Sequence, residues 1–416
     1  MSKPVSPDAA DSRPRLLVLA STYPRWRDDH EPSFVHELSR RLVGRFDVTV
    51  LCPHAAGALP RECMDGVHIF RYRYAPARWE RLVNDGGIIG NLRHHPWTAL
   101  LLPTFLLAQL WGLRRLLRAV RPNVIHAHWI LPQALMVALL QMVGVRTPPT
   151  LVTSHGADLF ALRGRLATCI KRLTMHRMQA SSVVSRAMRG PMLALGADPD
   201  LLGVAPMGVD LQHHFTPDAL TPRARYELLF VGRLVEKKGL PHLLNALPRV
   251  LQRHPETVLS IAGFGPELAA CQHQVERLGL KAHVRFLGAL PQDALPDLYR
   301  RSSMLVTPFV QARSGDQEGL GLVMVEALGC GCPVVTTRLP AIRELQDGHW
   351  PPYLAEPGDP VSLAAQINAL LDDPASGKAW VAQLRPSLLE RFDHAAVATG
   401  YAQQLSRLVT SSADSK

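Results

Sequence analysis

The chain reads as an α/β protein made of two Rossmann-like, doubly wound domains that face each other across a cleft. Three observations predict this. The 416 residues are 47% apolar and 19% charged, a globular composition with length enough for two or three domains. Short β-branched or leucine-rich runs alternate with longer helical patterns through nearly the whole chain, as parallel strands buried on both faces do. The alternation lapses over residues 207–226, where Gly, Pro and polar residues collect, and then starts again.

The elements follow in order. Residues 1–14 lack an apolar core and read as a disordered tail. The first domain, 15–206, carries strand candidates at 16–20, 48–51, 68–72, 124–127, 151–154 and 182–185. A helix is expected at 34–44, with Val35, Leu38 and Leu42 as its apolar stripe. The uncharged stretch 96–113 approaches the length of a membrane span, but Pro103 interrupts it. Beyond that proline, Leu106, Leu110, Leu113, Leu117 and Val120 share one helical face and Arg114, Arg115 and Arg118 lie away from it, the pattern of a half-buried crossover helix. After the linker at 207–226, the second domain, 227–392, has strand candidates at 227–231, 258–262, 284–287, 304–307 and 334–336. The final stretch, 393–416, is helical at 395–409 and is expected to fold back on the first domain.

Charge separates the two halves. The net charge is +11, and all of it falls within residues 1–210, which hold 26 basic and 15 acidic side chains. The first domain should therefore face something anionic: nucleic acid, a membrane or a phosphorylated substrate. Six scattered cysteines without paired spacing fit a reducing compartment. The expected location is the cytoplasm, with peripheral contact at the inner face of the cell membrane.

Two segments carry chemistry. In LLFVGRLVEKKGL, 228–240, a buried strand runs into a turn, and Arg233 and Lys238 emerge at the strand's carboxyl end, where open α/β sheets bind ligands. The pair could hold a diphosphate or form an ordinary solvated turn. In SGDQEGLGLVMVEALGCGCPVV, 314–335, Glu318 sits on a Gly-rich loop and Glu326 on the second turn of the helix that follows. The amides of Gly319, Leu320 and Gly321 would point toward an anion at the helix start. One carboxylate could accept from a ribose diol and the other meet a sugar. These are the parts of a nucleotide-sugar site.

With GRLVEKKG at 232–239, IAGFGP at 261–266, FLG at 286–288, SHGADLF at 154–160 and the two glutamates separated by seven residues, the chain resembles the retaining glycosyltransferases of family 4, which have the two-domain GT-B fold. The resemblance spans roughly 15–410, and the motifs fall in the family's order. It implies that Arg233 and Lys238 bind the diphosphate and neutralise the leaving nucleotide, a role that metal fills in other glycosyltransferases, so no metal or other cofactor is expected. It implies that Glu326 binds the ribose hydroxyls, that Glu318 lies against the donor sugar, and that His155 reaches the sugar from the first domain. Gly263 and Leu287 would line the phosphates and base. Because cleavage of the anomeric bond builds negative charge on the departing diphosphate, fixed cations and helix amides favour the transition state over the ground state. Retention in this family is explained by front-face attack, so Glu318 is not assigned as a nucleophile.

Other features leave alternatives open. His126 and His128 share one side of a strand, which suggests a metal pair, but no carboxylate or Cys stands at ligand spacing, and a structural or substrate-lining role is expected. Cys330 and Cys332 read as packing residues. The first strand is followed by STYPRWRDDHEPSF without the family's usual glycines, as in the exopolysaccharide and capsule transferases. Tyr23, Arg25 and Arg27 are candidate acceptor liners or part of an ordered surface loop. Arg40, Arg41 and Arg45 flank the helix at 34–44 as a solvated face or as a peripheral contact with anionic lipid.

The expected function is transfer of a sugar from a nucleotide-diphosphate donor, UDP before GDP, to a polyprenyl-diphosphate-linked acceptor in surface polysaccharide synthesis. A soluble acceptor and a GT-B nucleotide-sugar epimerase are the alternatives. Nucleic acid drops out, because no basic stripe is interleaved with aromatics.

Overall fold

The computed structural model describes residues 13–413 except 28, 30, 32, 85, 86, 161 and 163. All but the last two residues of the expected tail, 1–14, lie outside the described residues. The first sheet comprises β1 (Arg15–Leu19), β2 (Asp47–Pro53), β3 (Arg61–Met64), β4 (Val67–Tyr72), β5 (Val124–His128), β6 (Thr150–Ser154), β7 (Ala180–Val183) and β8 (Leu202–Val204), in the order β3-β4-β2-β1-β5-β6-β7-β8. The second comprises β9 (Glu227–Val231), β10 (Val258–Ala262), β11 (Val284–Gly288), β12 (Met304–Thr307), β13 (Val334–Thr337) and β14 (Leu354–Ala355), in the order β11-β10-β9-β12-β13-β14. Apart from the antiparallel pair β3–β4, every pairing is parallel.

Burial on both faces explains why the strands read as continuous apolar runs. In β1, Leu16 and Val18 join the cluster under the helix Phe34–Leu42, whereas Leu17 and Leu19 join the cluster under the helices Leu102–Ala119 and Leu135–Met142. β9 alternates in the same way, with Leu228 and Phe230 on one face and Leu229 and Val231 on the other. The cluster containing Leu17 continues into the second domain through Leu305, Met324 and Ile342, so the two domains share apolar packing.

The crossing points of the chain are tied together. The Val209 amide donates to the Phe392 carbonyl at 2.8 Å and the His394 amide to the Val209 carbonyl at 3.1 Å. The helix His394–Ala413 then lies against the first domain, where Val397, Tyr401 and Leu405 are buried with Leu16, Val18 and Leu38. The Tyr401 hydroxyl donates to the Ala205 carbonyl at 3.0 Å.

Several elements differ from the sequence reading. β3 returns on β4 through Asp65 and Gly66, both at positive φ (50° and 80°); an Asp-Gly hairpin turn is a signal that the sequence carried. β8 and β14 are three and two residues long, too short for a periodicity to show. β7 starts at Ala180, two residues ahead of the expected strand. Pro103 does not interrupt the crossover helix: it sits in the first turn of Leu102–Ala119, where no amide donor is needed.

Candidate active site

Three carboxyl-end turns of the second sheet meet at the cleft. The strand β9 ends in Gly232, and the backbone there runs so close to the β10 turn that a Cβ on Gly263 would stand 1.9 Å from the Gly232 carbonyl oxygen. Gly263 is needed for that approach, and its amide is used by the Gly288 carbonyl at 2.8 Å. Leu287, one residue earlier on β11, is half-buried and packs on the core.

Arg233 follows Gly232 and its guanidinium reaches the helix Gly87–His94 of the first domain, 3.4 Å from where a Gly90 Cβ would sit. It is exposed and forms no ion pair among the described residues. Glu31 and Asp316 are the carboxylates whose field it feels. Lys238, on the turn before the helix Leu240–Arg253, pairs with Glu318 Oε2 at 2.8 Å, and its ammonium stands over the Phe309 ring, 4.7 Å from the centroid. Lys237 pairs with Asp316 at 3.2 Å.

Burial opposes the charge on Glu318, but Lys238 and Lys237 outweigh it and hold the carboxyl at about 2. Of the three residues whose amides were expected to face an anion, Leu320 is buried in the core. Glu326 stands on the second turn of the helix Leu322–Gly329 and accepts from the Tyr299 hydroxyl at 2.8 Å. Burial raises its carboxyl to about 7, against the opposing pull of Tyr299 and Lys238. Neighbouring glutamates therefore hold opposite protonation tendencies at neutral pH, Glu318 charged and Glu326 poised to titrate.

The facing wall belongs to the first domain. His155 follows β6, its ring lies between Phe34 and Trp129 (centroids 5.0 and 4.9 Å away), and its carbonyl oxygen would be 3.1 Å from a Cβ on Gly319. A side chain at Gly319 would need that carbonyl to give by a few tenths of an ångström, so the Glu318 loop runs close against this wall. His155 Nε2 is 3.0 Å from His128 Nδ1, and His126 Nε2 is 2.8 Å from Thr153 Oγ1. Burial lowers His126 and His155 to about 3 and His128 further, so all three imidazoles are neutral. Among the described residues no group of three His, Cys, Asp or Glu side chains is placed to hold a metal.

Two expected acceptor liners lie elsewhere. Tyr23 is 4% exposed, and its hydroxyl is 2.7 Å from His36 Nδ1 within the apolar cluster behind the sheet. Arg25 is held by both carboxylate oxygens of Asp29, at 2.6 and 2.8 Å. Both follow β1 and were expected near the cleft for that reason; His36 and Asp29 hold them instead. Arg27 is exposed and pairs with Asp65 at 3.0 Å. Arg40 and Arg41 share Glu37, at 2.7 Å for Arg40, and their helix turns its stripe onto the core, so the expected basic flank is partly neutralised. Only Arg45 of the three is exposed. Residues that the sequence reading missed are Tyr299 and Phe309: nothing in their local sequence shows that they meet Glu326 and Lys238.

Known proteins resemble the chain in sequence and in fold. A family model described as glycosyl transferases group 1 matches residues 216–385, and one described as glycosyltransferase family 4 matches residues 33–213. The chain is 30% identical over 297 residues to a glycogen synthase of Mycobacterium tuberculosis, covering 69% of each chain. It is 29% identical to a GDP-mannose-dependent alpha-(1-6)-phosphatidylinositol monomannoside mannosyltransferase of Mycolicibacterium smegmatis, over 67% of this chain and 74% of that one. Among solved structures, Anabaena Alr3699/HepE in complex with UDP and glucose superposes with a TM-score of 0.70 at 18% identity, over 95% of this chain and all of that one.

Proposed function

The chain belongs to the family 4 glycosyltransferases of GT-B fold, and from that premise we propose a retaining, metal-independent transfer of a sugar from a nucleoside-diphosphate donor to a lipid-diphosphate-linked acceptor in surface polysaccharide synthesis. The observation that carries the donor half is the convergence of Arg233, which has no ion pair among the described residues, the Lys238–Glu318 pair and Glu326 on one side of a cleft faced by His155.

In this reading the donor diphosphate takes Lys238 from Glu318 and fills the fork of Arg233. Both cations then oppose the charge that develops on the leaving group. Glu318, released but still ionised, lies against the sugar hydroxyls. Glu326 accepts from the ribose diol. The neutral His155 offers a ring nitrogen to the sugar without adding charge beside the developing oxocarbenium ion. The leaving phosphate takes the acceptor's proton as the new glycosidic bond forms on the face just vacated.

UDP remains ahead of GDP: the UDP-bound HepE supports that order, although the GDP-mannose-dependent relative supports the other. The lipid acceptor finds support in the basic first domain and in the phosphatidylinositol substrate named for that relative.

Turnover with a panel of nucleotide sugars, with and without lipid-linked or soluble acceptor, tests the reading. Nucleoside diphosphate should appear only when acceptor is present, and Lys238→Ala and Glu326→Ala should each lower the rate at least a hundredfold. Release without acceptor, together with isomerised donor, would favour an epimerase; near wild-type rates in both variants would remove the site assignment.

A further inference from the structure

The crossover helix between β4 and β5 exposes an apolar stripe that no described residue covers. Phe105, Leu113 and Leu116 of Leu102–Ala119 are buried, as is Gly112, where a Cβ would meet Leu51 at 3.3 Å. On the opposite side of this helix Leu107 and Trp111 are each 65% exposed, and in the 3-10 helix Pro96–Leu101 that leads into it Leu100 is 80% exposed. These recur at helical spacing, with Trp97 one turn earlier and also exposed. The sequence reading placed Arg114, Arg115 and Arg118 on the outer face but did not place Leu107 and Trp111 beside them.

The charge on this face is of one sign. Arg114, Arg115 and Arg118 are exposed and form no ion pair among the described residues; Arg115 stands over the Trp111 ring at 5.6 Å. From Asp85 to Asp158 the sequence holds six arginines and no intervening Asp or Glu. Unlike Arg40 and Arg41, which share Glu37, the three arginines of this helix have no ion pair among the described residues.

We infer that the outer face of residues 96–119 is a docking surface for an anionic phospholipid bilayer. Tryptophan and leucine enter the headgroup boundary and arginine meets lipid phosphate, as on a helix lying in the interface plane. By length and composition the segment Pro96–Ala119 could cross a membrane, but its inner face is fastened to the sheet, so it lies along the bilayer. Its direction also matters. Asn123, just after the helix, donates to the Arg15 carbonyl at the start of β1, whereas the preceding helix Gly87–His94 reaches Arg233 in the cleft. The apolar end of the stripe therefore lies toward the cleft mouth and the arginine end away from it. This placement gains meaning from the proposed lipid-linked acceptor, but binding to the bilayer does not depend on it.

The test is flotation of the full chain with phosphatidylcholine vesicles, with and without phosphatidylglycerol. Wild type should float with the anionic vesicles, and less so at high salt. Replacing Leu100, Leu107 and Trp111 by Ser should weaken binding at least tenfold. Arg114→Glu, Arg115→Glu and Arg118→Glu together should weaken it at least a hundredfold, from about a fivefold loss for each basic residue near the surface. Both variants should keep the nucleotide-sugar thermal shift and their turnover on a short-chain soluble acceptor, which separates this result from failure of the transfer reading. The inference is overturned if wild type does not bind anionic vesicles or if both variants bind as wild type does. It is also overturned if only a variant reversing Arg40, Arg41 and Arg45 loses binding, or if the stripe instead mediates a dimer that the Ser variant dissociates.

Discussion

Glu326 is the residue whose environment makes the sharpest demand. Its carboxyl is raised to about 7 by burial, above the ordinary 4.5 of the unfolded chain. Between those values the folded state binds more protons than the unfolded state, so stability falls as pH rises through that window. Glu326→Gln, which keeps the shape and the acceptor for Tyr299, should therefore raise Tm at pH 8 and leave it nearly unchanged at pH 5. Ribose hydroxyls need the ionised form as acceptor. Donor affinity measured by calorimetry should rise with pH through about 7 in wild type, and this dependence should vanish in Glu326→Gln. A flat wild-type profile would assign Glu326 to structure alone. Glu318, eight positions earlier, is the counterexample: Lys238 and Lys237 hold it at about 2, so it stays charged across the same range.

At the scale of elements, Leu322–Gly329 and the turn at Gly232 were legible because their signals are contiguous in sequence: a Gly-rich loop before a helix, a strand before a basic turn. The loop after β1 was not. Tyr23 and Arg25 are polar residues at the right end of a strand, yet His36 and Asp29 draw them into the domain's own structure. Those partners lie only 13 and four residues away, but no spacing rule marks a buried Tyr–His contact. The crossover helix shows the same limit. Its apolar residues occur on more than one side, and only packing decides that Leu113 goes inward while Leu107 and Trp111 stay in solvent. The terminal helix His394–Ala413 is more consequential than its position suggests. Tyr401→Ala removes a fully buried ring from the first domain's core and a bond to Ala205, which should cost about 3–5 kcal/mol. Thermal unfolding of the first domain should shift down while nucleotide affinity, set in the second, changes little.

At the scale of the molecule, the Leu17 cluster passes between the domains and two backbone hydrogen bonds join the crossing segments at Val209. A donor gripped by Arg233, Lys238 and Glu326 on one side and His155 on the other should stabilise the pair of domains as a unit. At one hundred times Kd, the cognate nucleotide sugar should add about 2.7 kcal/mol, read as a single raised transition in a thermal-shift panel; nucleotides of the wrong base should give less. In the proposed mechanism the cations at the diphosphate are Arg233 and Lys238, so a chelator should leave turnover unchanged. Inhibition that magnesium relieves would bring metal back into the mechanism.

The sequence by itself determined the two α/β domains and marked the candidate donor-side residues, because strand and helix periods and the turns at strand ends are local consequences of backbone geometry and burial. It also determined that the basic excess belongs to the first domain. Tertiary structure decided the rest: that Lys238 already has a carboxylate partner, that Glu318 and Glu326 titrate far apart, and that His155 closes on Gly319. It also paired Arg40 and Arg41 with Glu37 on the helix Phe34–Leu42 while leaving Arg114, Arg115 and Arg118 exposed on the crossover helix. The first three depend on distances between residues far apart in the chain, and electrostatic energy and desolvation follow those distances rather than order along the sequence.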